Sequence, residues 1–163
     1  MLQNIESVLY EIKNTLLDSE DLRKLLFYDT PNALTRSAPL ISEVEDYIKI
    51  KPIIILNENS NNDGITSFIS IGMIEGENFG NSAEFSFKVT IASNRRIWEL
   101  ENNRIRTLAA ARLIEERLHE KKFTSAGKLL LVIVKEIYFN SEIIGYMMMF
   151  DLRDETGESV NEF

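Results

Sequence analysis

Cysteine is absent from this chain, which excludes a disulfide framework, a thiolate metal site and a cysteine nucleophile. Histidine occurs once, as His119, and that rules out most multi-histidine metal and acid–base sites. Basic charge is in deficit: 18 Lys and Arg stand against 26 Asp and Glu, a net charge of −8. This balance argues against general binding to nucleic acid or anionic membranes, although an acidic protein can still carry a local basic patch. Long apolar runs are missing too. The longest, Leu129 to Val134, is far too short to span a bilayer. The first residues, MLQNIESVLYEIKN, have no charged segment followed by an apolar one, as a signal peptide would. A soluble intracellular protein with no membrane partner is expected.

What remains is ample material for one core. The 163 residues are 44% hydrophobic and 27% charged, which suits a single domain over 1–153 followed by an acidic, flexible tail over 154–163. The pattern is built around WELENNRIRTLAAARLIEERLHE, read as one helix from Trp98 to Glu120, a rod of roughly 30 Å without Gly or Pro. Leu100, Thr107, Ala111, Ile114 and Leu118 form one apolar stripe. Ile105, Ala109 and Leu113 form a second, well round the cylinder. A sheet can cover one stripe; the other needs a second helix or a second copy, which makes Ile105, Ala109 and Leu113 candidate subunit-interface residues.

Upstream, Leu2, Ile5, Leu9, Ile12 and Leu16 space out an amphipathic helix, and Ser19 caps a shorter one over Glu20–Phe27. Tyr28–Asn32 reads as a turn around Pro31. Ser42 and Glu45 have capping-box spacing, which predicts a helical turn or two over Glu43–Ile48. Pro52–Leu56 and Ser67–Glu75 read as strands joined by the polar loop Asn57–Thr66. In that loop Asn59, Asn61, Asn62, Asp63 and Gly64 are candidate partner-binding residues, a solvated turn being the plainer reading. Phe85, Phe87, Val89 and Ile91 alternate with Glu84, Ser86, Lys88 and Thr90, a strand with one buried and one wet face. Lys128–Phe139 and Ile144–Arg153 form a second hairpin. The first half of Lys128–Phe139 is apolar on both faces and is expected to be central or covered by helices. Met147 and Met149 face away from Met148, so they are candidates for a subunit interface. The order predicts an α+β fold: a mainly antiparallel sheet of about four to five strands, covered on one face by the N-terminal helix and the long central helix.

Chemistry is scarce. Glu115 and His119 stand one helical turn apart, a spacing that recurs by chance on charged helices, so His119 is read as structural or solvent-facing. Thr124–Lys128 lacks P-loop spacing and lies between a helix and a strand in the reverse order. Arg95, Arg96, Arg104, Arg106 and Arg112, interleaved with Glu99, Glu101, Glu115 and Glu116, read as a salt-bridged surface. Trp98 reads as a core or interface anchor. No catalytic residue, cofactor or metal site is expected.

A resemblance supplies a function. LYEIKNTLL, DLRKLLFYDT, Pro39-Leu40, SFISI, FSFKVTIAS, WELENNRIRTLAAARLIEERL, GKLLLVIV and IIGYMMMFDL follow one another here, with KLLFY, Trp98-Glu99-Leu100 and Gly145-Tyr146 near Phe150 the most telling. In element order and segment character this resembles the neck proteins of long-tailed bacteriophages, most closely the tail-terminator or tail-completion type, over nearly residues 2–153. The resemblance implies a structural virion protein, assembled in the host cytoplasm as a homo-oligomeric ring, usually a hexamer. Such a ring caps the tail tube and meets the head-side connector or stopper protein, and DNA passes through its lumen without specific binding. The Asn-rich loop and the acidic tail depart from that pattern. Another neck ring (a stopper or adaptor), a binding module, or a small metal-dependent hydrolase using Glu115, His119 and Glu120 are the alternatives.

Overall fold

The computed structural model describes residues 2–50, 66–74, 86–123 and 127–153. The expected strand Pro52–Leu56, loop residues Asn59, Asn61, Asn62, Asp63 and Gly64, and the acidic tail 154–163 lie outside the described residues. Helices α1 (Leu2–Leu17) and α2 (Glu20–Phe27) open the chain, and Ser19 Oγ caps α2 by accepting from the Leu22 amide. The short α3 (Ile41–Val44) follows. Its start lies two residues before the expected box: the Glu43 carboxylate accepts from the Leu40 amide at 2.7 Å, and Glu45 belongs to a following 3-10 turn.

Strands β1 (Ile48–Ile50), β2 (Ser67–Ile74), β3 (Ser86–Asn94), β6 (Lys122–Phe123), β7 (Gly127–Tyr138) and β8 (Ile143–Arg153) form one sheet in the order β1-β2-β3-β8-β7-β6. The class is α+β, as expected, with six strands rather than four or five and with β1 parallel to β2. Ile69, Ile71, Phe87, Val89, Ile91, Met148 and Phe150 project from one face and are buried against Ile12, Leu16, Leu22, Leu25, Ile114 and Leu118 of the helices. Burial of this apolar area is the main stabilising term.

Two features depart from the pattern in the sequence. Strand β3 is not wet on its second face: Ser86, Thr90 and Ala92 are buried, because β3 sits inside the curled sheet between β2 and β8. The long helix is also shorter than expected. Helix α4 runs only Arg106–Leu118, and the residues before it form a 3-10 turn (Arg95–Ile97) and a small hairpin of β4 (Glu99–Leu100) with β5 (Arg104–Ile105). Asn102 and Asn103 turn this hairpin at φ 62° and 57°. Asparagine enters that left-handed region more readily than other side-chain-bearing residues, so the Asn pair breaks a run that otherwise favours helix.

At the sheet centre, Gly145 of β8 lies opposite Ala92 of β3. A Cβ there would overlap the Ile91 carbonyl oxygen and come within 2.7 Å of Ala92 Cα, so the strands approach as closely as they do because this residue has no side chain.

Candidate functional site

Arg106, the first residue of α4, is 1% exposed and has no ion pair among the described residues. Its guanidinium donates from Nε to the Ile97 carbonyl at 2.8 Å, from Nη1 to Leu25 at 2.6 Å and from Nη2 to Thr30 at 2.9 Å. Burial pushes its pKa below the usual guanidinium value, opposed by the charge of Asp29. One planar fork therefore ties α4 to α2, to the turn after α2 and to the 3-10 turn. This corrects the surface reading of Arg106. Of the other arginines in that cluster only Arg96 has an ion pair among the described residues, to Glu142 at 3.9 Å. The hairpin breaks the helical spacing expected around Arg104, whereas Arg112 keeps Glu115 and Glu116 one turn away in α4 without an ion pair among the described residues.

Beside this clamp the start of α4 forms a cleft of about 160 Å³, lined by Asn103, Arg104, Ile105, Leu108, Ala109 and Arg112. Ile105 and Leu108 are each 39% exposed. Of the second stripe, Ile105 is open, Leu113 is half-buried against the domain's own core, and Ala109 is 4% exposed in that core. Ala109 is thus already covered by the domain's own core.

Met147 and Met149 are half-buried on the sheet face opposite Met148. Met147 pairs with Thr90 and Lys135, and Met149 with Lys88 and Ile133. The sheet therefore separates them from Ile105 and Leu113.

The larger opening is on β7, whose first half the sequence pattern expected to be central or covered. Strand β6 pairs only with Gly127 and Lys128, after which Glu120 and Lys121 main-chain groups bond to Leu129. Last along the edge, His119 Nδ1 accepts from the Leu131 amide at 3.0 Å. This uses as an acceptor the one histidine considered as a metal ligand. From Val132 onward no described strand lies on the outer side of β7. A register shift falls between Leu131 and Ile133, and Val132, Ile133 and Val134 are 45%, 44% and 51% exposed. A strand apolar on both faces can mark either a central position or an edge awaiting a neighbour. The charged Lys135 and Glu136 that follow were the available signal for the second.

At the tip, Tyr138 is exposed and its hydroxyl donates to Glu136 Oε1 at 2.7 Å. That hydrogen bond, with the charge of Glu136, raises the phenol pKa. No group of three or more His, Cys, Asp and Glu suited to a metal occurs among the described residues, and no described helix is long and apolar enough to cross a membrane.

The described residues form a helix-covered α+β sheet whose open features include an edge strand and a shallow cleft. The family model named YomW matches residues 19–152, and the chain belongs to the YomW family. YomW is a phage-type gene product name, and the chain is a phage-related protein. No curated protein matches the chain, and no solved structure does.

Proposed function

We propose that this protein is a structural neck protein of the tail-terminator type, a homo-oligomeric ring that caps a phage tail tube and joins it to the head-side connector. The observation that carries the reading is the outer half of β7. Val132–Val134 offer apolar side chains on both faces beside a main-chain edge with no outer neighbour among the described residues. An edge of this kind invites another strand, and folded proteins otherwise blunt it with charge or cover it. Met149 and Ile133 form a neighbouring pair on the face away from the helices, which widens the apolar surface. A subunit that offers this edge to a dissimilar surface of the next copy makes a head-to-tail contact, and such contacts close into rings when the rotation allows. Membership of a phage-related family and the resemblance of the segments support the same reading. The net charge of −8 suits a lumen through which DNA slides without being held.

The test is twofold. Native mass spectrometry of the purified protein, alone and with tail tubes, should give a closed ring of defined copy number. Particles made without the protein should accumulate heads and tails unjoined. Infectious joined particles formed without it would overturn the proposal.

A further inference from the structure

Hydrogen bonds fix which flank of α4 lies toward the open part of β7. The helix begins beside Ile97, just past the end of β3, where Asn94 pairs with Ile143 and Tyr138 with Ile144. It ends at His119, which meets Leu131 in the middle of β7. Helix α4 therefore runs antiparallel to β7. Arg112 stands seven residues before His119, on the same side at about 3.6 residues per turn, with Leu108, Glu115 and Glu116 within roughly 60° of it. Arg104 and Ile105 lead into this strip, and all of these residues are exposed. Along α4 the strip is apolar at Ile105 and Leu108, basic at Arg112 and acidic at Glu115 and Glu116.

At the other end of the sheet, the segment through α3 into β1 carries the matching order. Leu40 and Ile41 are 69% and 41% exposed, Glu45 and Asp46 follow as exposed acids, and Lys49 follows them. Asp46 and Lys49 meet at 3.6 Å, an exposed pair that can exchange partners at little cost. We propose that the α4 flank and the β7 edge beside it receive Leu40–Ile50 of a second copy. Leu40 and Ile41 then cover Ile105 and Leu108, Glu45 and Asp46 meet Arg112 and Arg104, Lys49 meets Glu115 and Glu116, and β1 continues the sheet beside Val132. The proposal rests on the ring reading and names the dissimilar surface that the β7 edge meets.

Direction and length agree with this docking. Strand β1 is parallel to β2 and, through β3 and β8, antiparallel to β7. A rotation about an axis close to the strands keeps that sense between copies, so the neighbour's segment runs along α4 in the helix's own direction. From Ile105 to Glu116 the strip covers roughly 16 Å. The four residues of α3, the three of the 3-10 turn and the start of β1 extend at most about 19 Å.

Two variants with exposed substitutions test the pairing. One carries Glu45→Arg and Asp46→Arg, the other Arg104→Glu and Arg112→Glu. Each alone opposes like charges at every contact, and its ring fraction in native mass spectrometry should fall at least tenfold. An equimolar mixture opposes unlike charges throughout an alternating ring, and should recover to within about twofold of the parent. Since the chain has no cysteine, Leu40→Cys with Leu108→Cys in one chain gives a second readout. Mild oxidation should produce a ladder of covalent oligomers, as a head-to-tail contact requires. Rings formed equally by the separate variants, or no ladder from an associating protein, would overturn this pairing and leave the ring standing. A ladder that stops at the dimer would overturn the head-to-tail contact. Intact rings of the Arg104→Glu, Arg112→Glu variant that no longer hold tail tubes would assign the flank to the tube protein instead. A parent protein that never associates, alone or on tail tubes, would overturn the ring as well.

Discussion

Arg106 and Leu25 are joined by a 2.6 Å hydrogen bond from guanidinium to carbonyl, between the first turn of α4 and the last turn of α2. Together with the bonds to Ile97 and Thr30 it satisfies three main-chain carbonyls from one buried side chain. Arg106→Met should leave the Leu25 and Ile97 carbonyls without this donor, while the Thr30 carbonyl keeps the Ala33 amide, and should cost at least ~2 kcal/mol at about 1–3 kcal/mol per orphaned buried group. Arg106→Lys should recover only part of the loss, because an ammonium cannot span the three positions of the planar fork. Urea denaturation of the three proteins checks the order.

Gly145→Ala should destabilise the sheet centre. The added methyl meets backbone at Ile91 and Ala92 rather than a side chain that could rotate away. Overpacking of this kind costs roughly 1–3 kcal/mol, and rigid backbone puts this site at the upper end. A lowered melting temperature measures it; an unchanged one would show that β3 and β8 can part without penalty.

Val132→Lys with Val134→Lys should separate folding from assembly. Both residues are about half exposed, and exposed substitutions usually change stability by no more than ~0.5 kcal/mol. The double variant should therefore melt near the parent while its ring fraction, measured by native mass spectrometry, falls at least tenfold. Loss of the fold itself would mean that these valines serve the subunit rather than the contact.

Tyr138 offers a reporter at the same edge. Its phenol should titrate above the ordinary tyrosine range, and Glu136→Gln should bring it down by removing the charge that holds its proton. The raised folded-state pKa implies stability present below the unfolded pKa and lost as pH rises through the folded pKa. If assembly covers the edge, the phenol should move further up in the ring, as followed by ultraviolet difference absorbance.

The pattern of the core was legible because burial imposes periods that survive in sequence. Thr107, Ala111, Ile114 and Leu118, selected by helical spacing, are all buried in α4, Leu100 is buried from β4 instead, and the strands at β2, β3, β7 and β8 lie within a few residues of their expected places. Two kinds of feature were hidden. Asn102 and Asn103 carry no helix-breaking Gly or Pro, so only their left-handed conformation reveals the hairpin before α4. Arg106 resembles its exposed neighbours in composition, and its burial depends on carbonyls contributed by Leu25 and Thr30, far away in sequence. Likewise, an apolar strand reads the same whether the protein or a partner covers it, which is why the whole first half of Lys128–Phe139 was expected inside, where Leu129 is buried but Val132 and Ile133 are exposed.

The pairing of β3 with β8 also governs when this chain can fold. Residues 86–94 must wait for 143–153 before the middle of the sheet closes, and contacts this distant in sequence slow folding because the loop must be closed before the contact repays it. During synthesis the helices and the β2–β3 pair can form early, but Phe87 and Val89 keep an unpaired side until Phe150 and Met148 are made. A chain released before that point lacks both the core-closing strand and, beside it, the support for the β7 edge. The topology thus acts as a length check, since the middle of the sheet closes only in chains translated through β8.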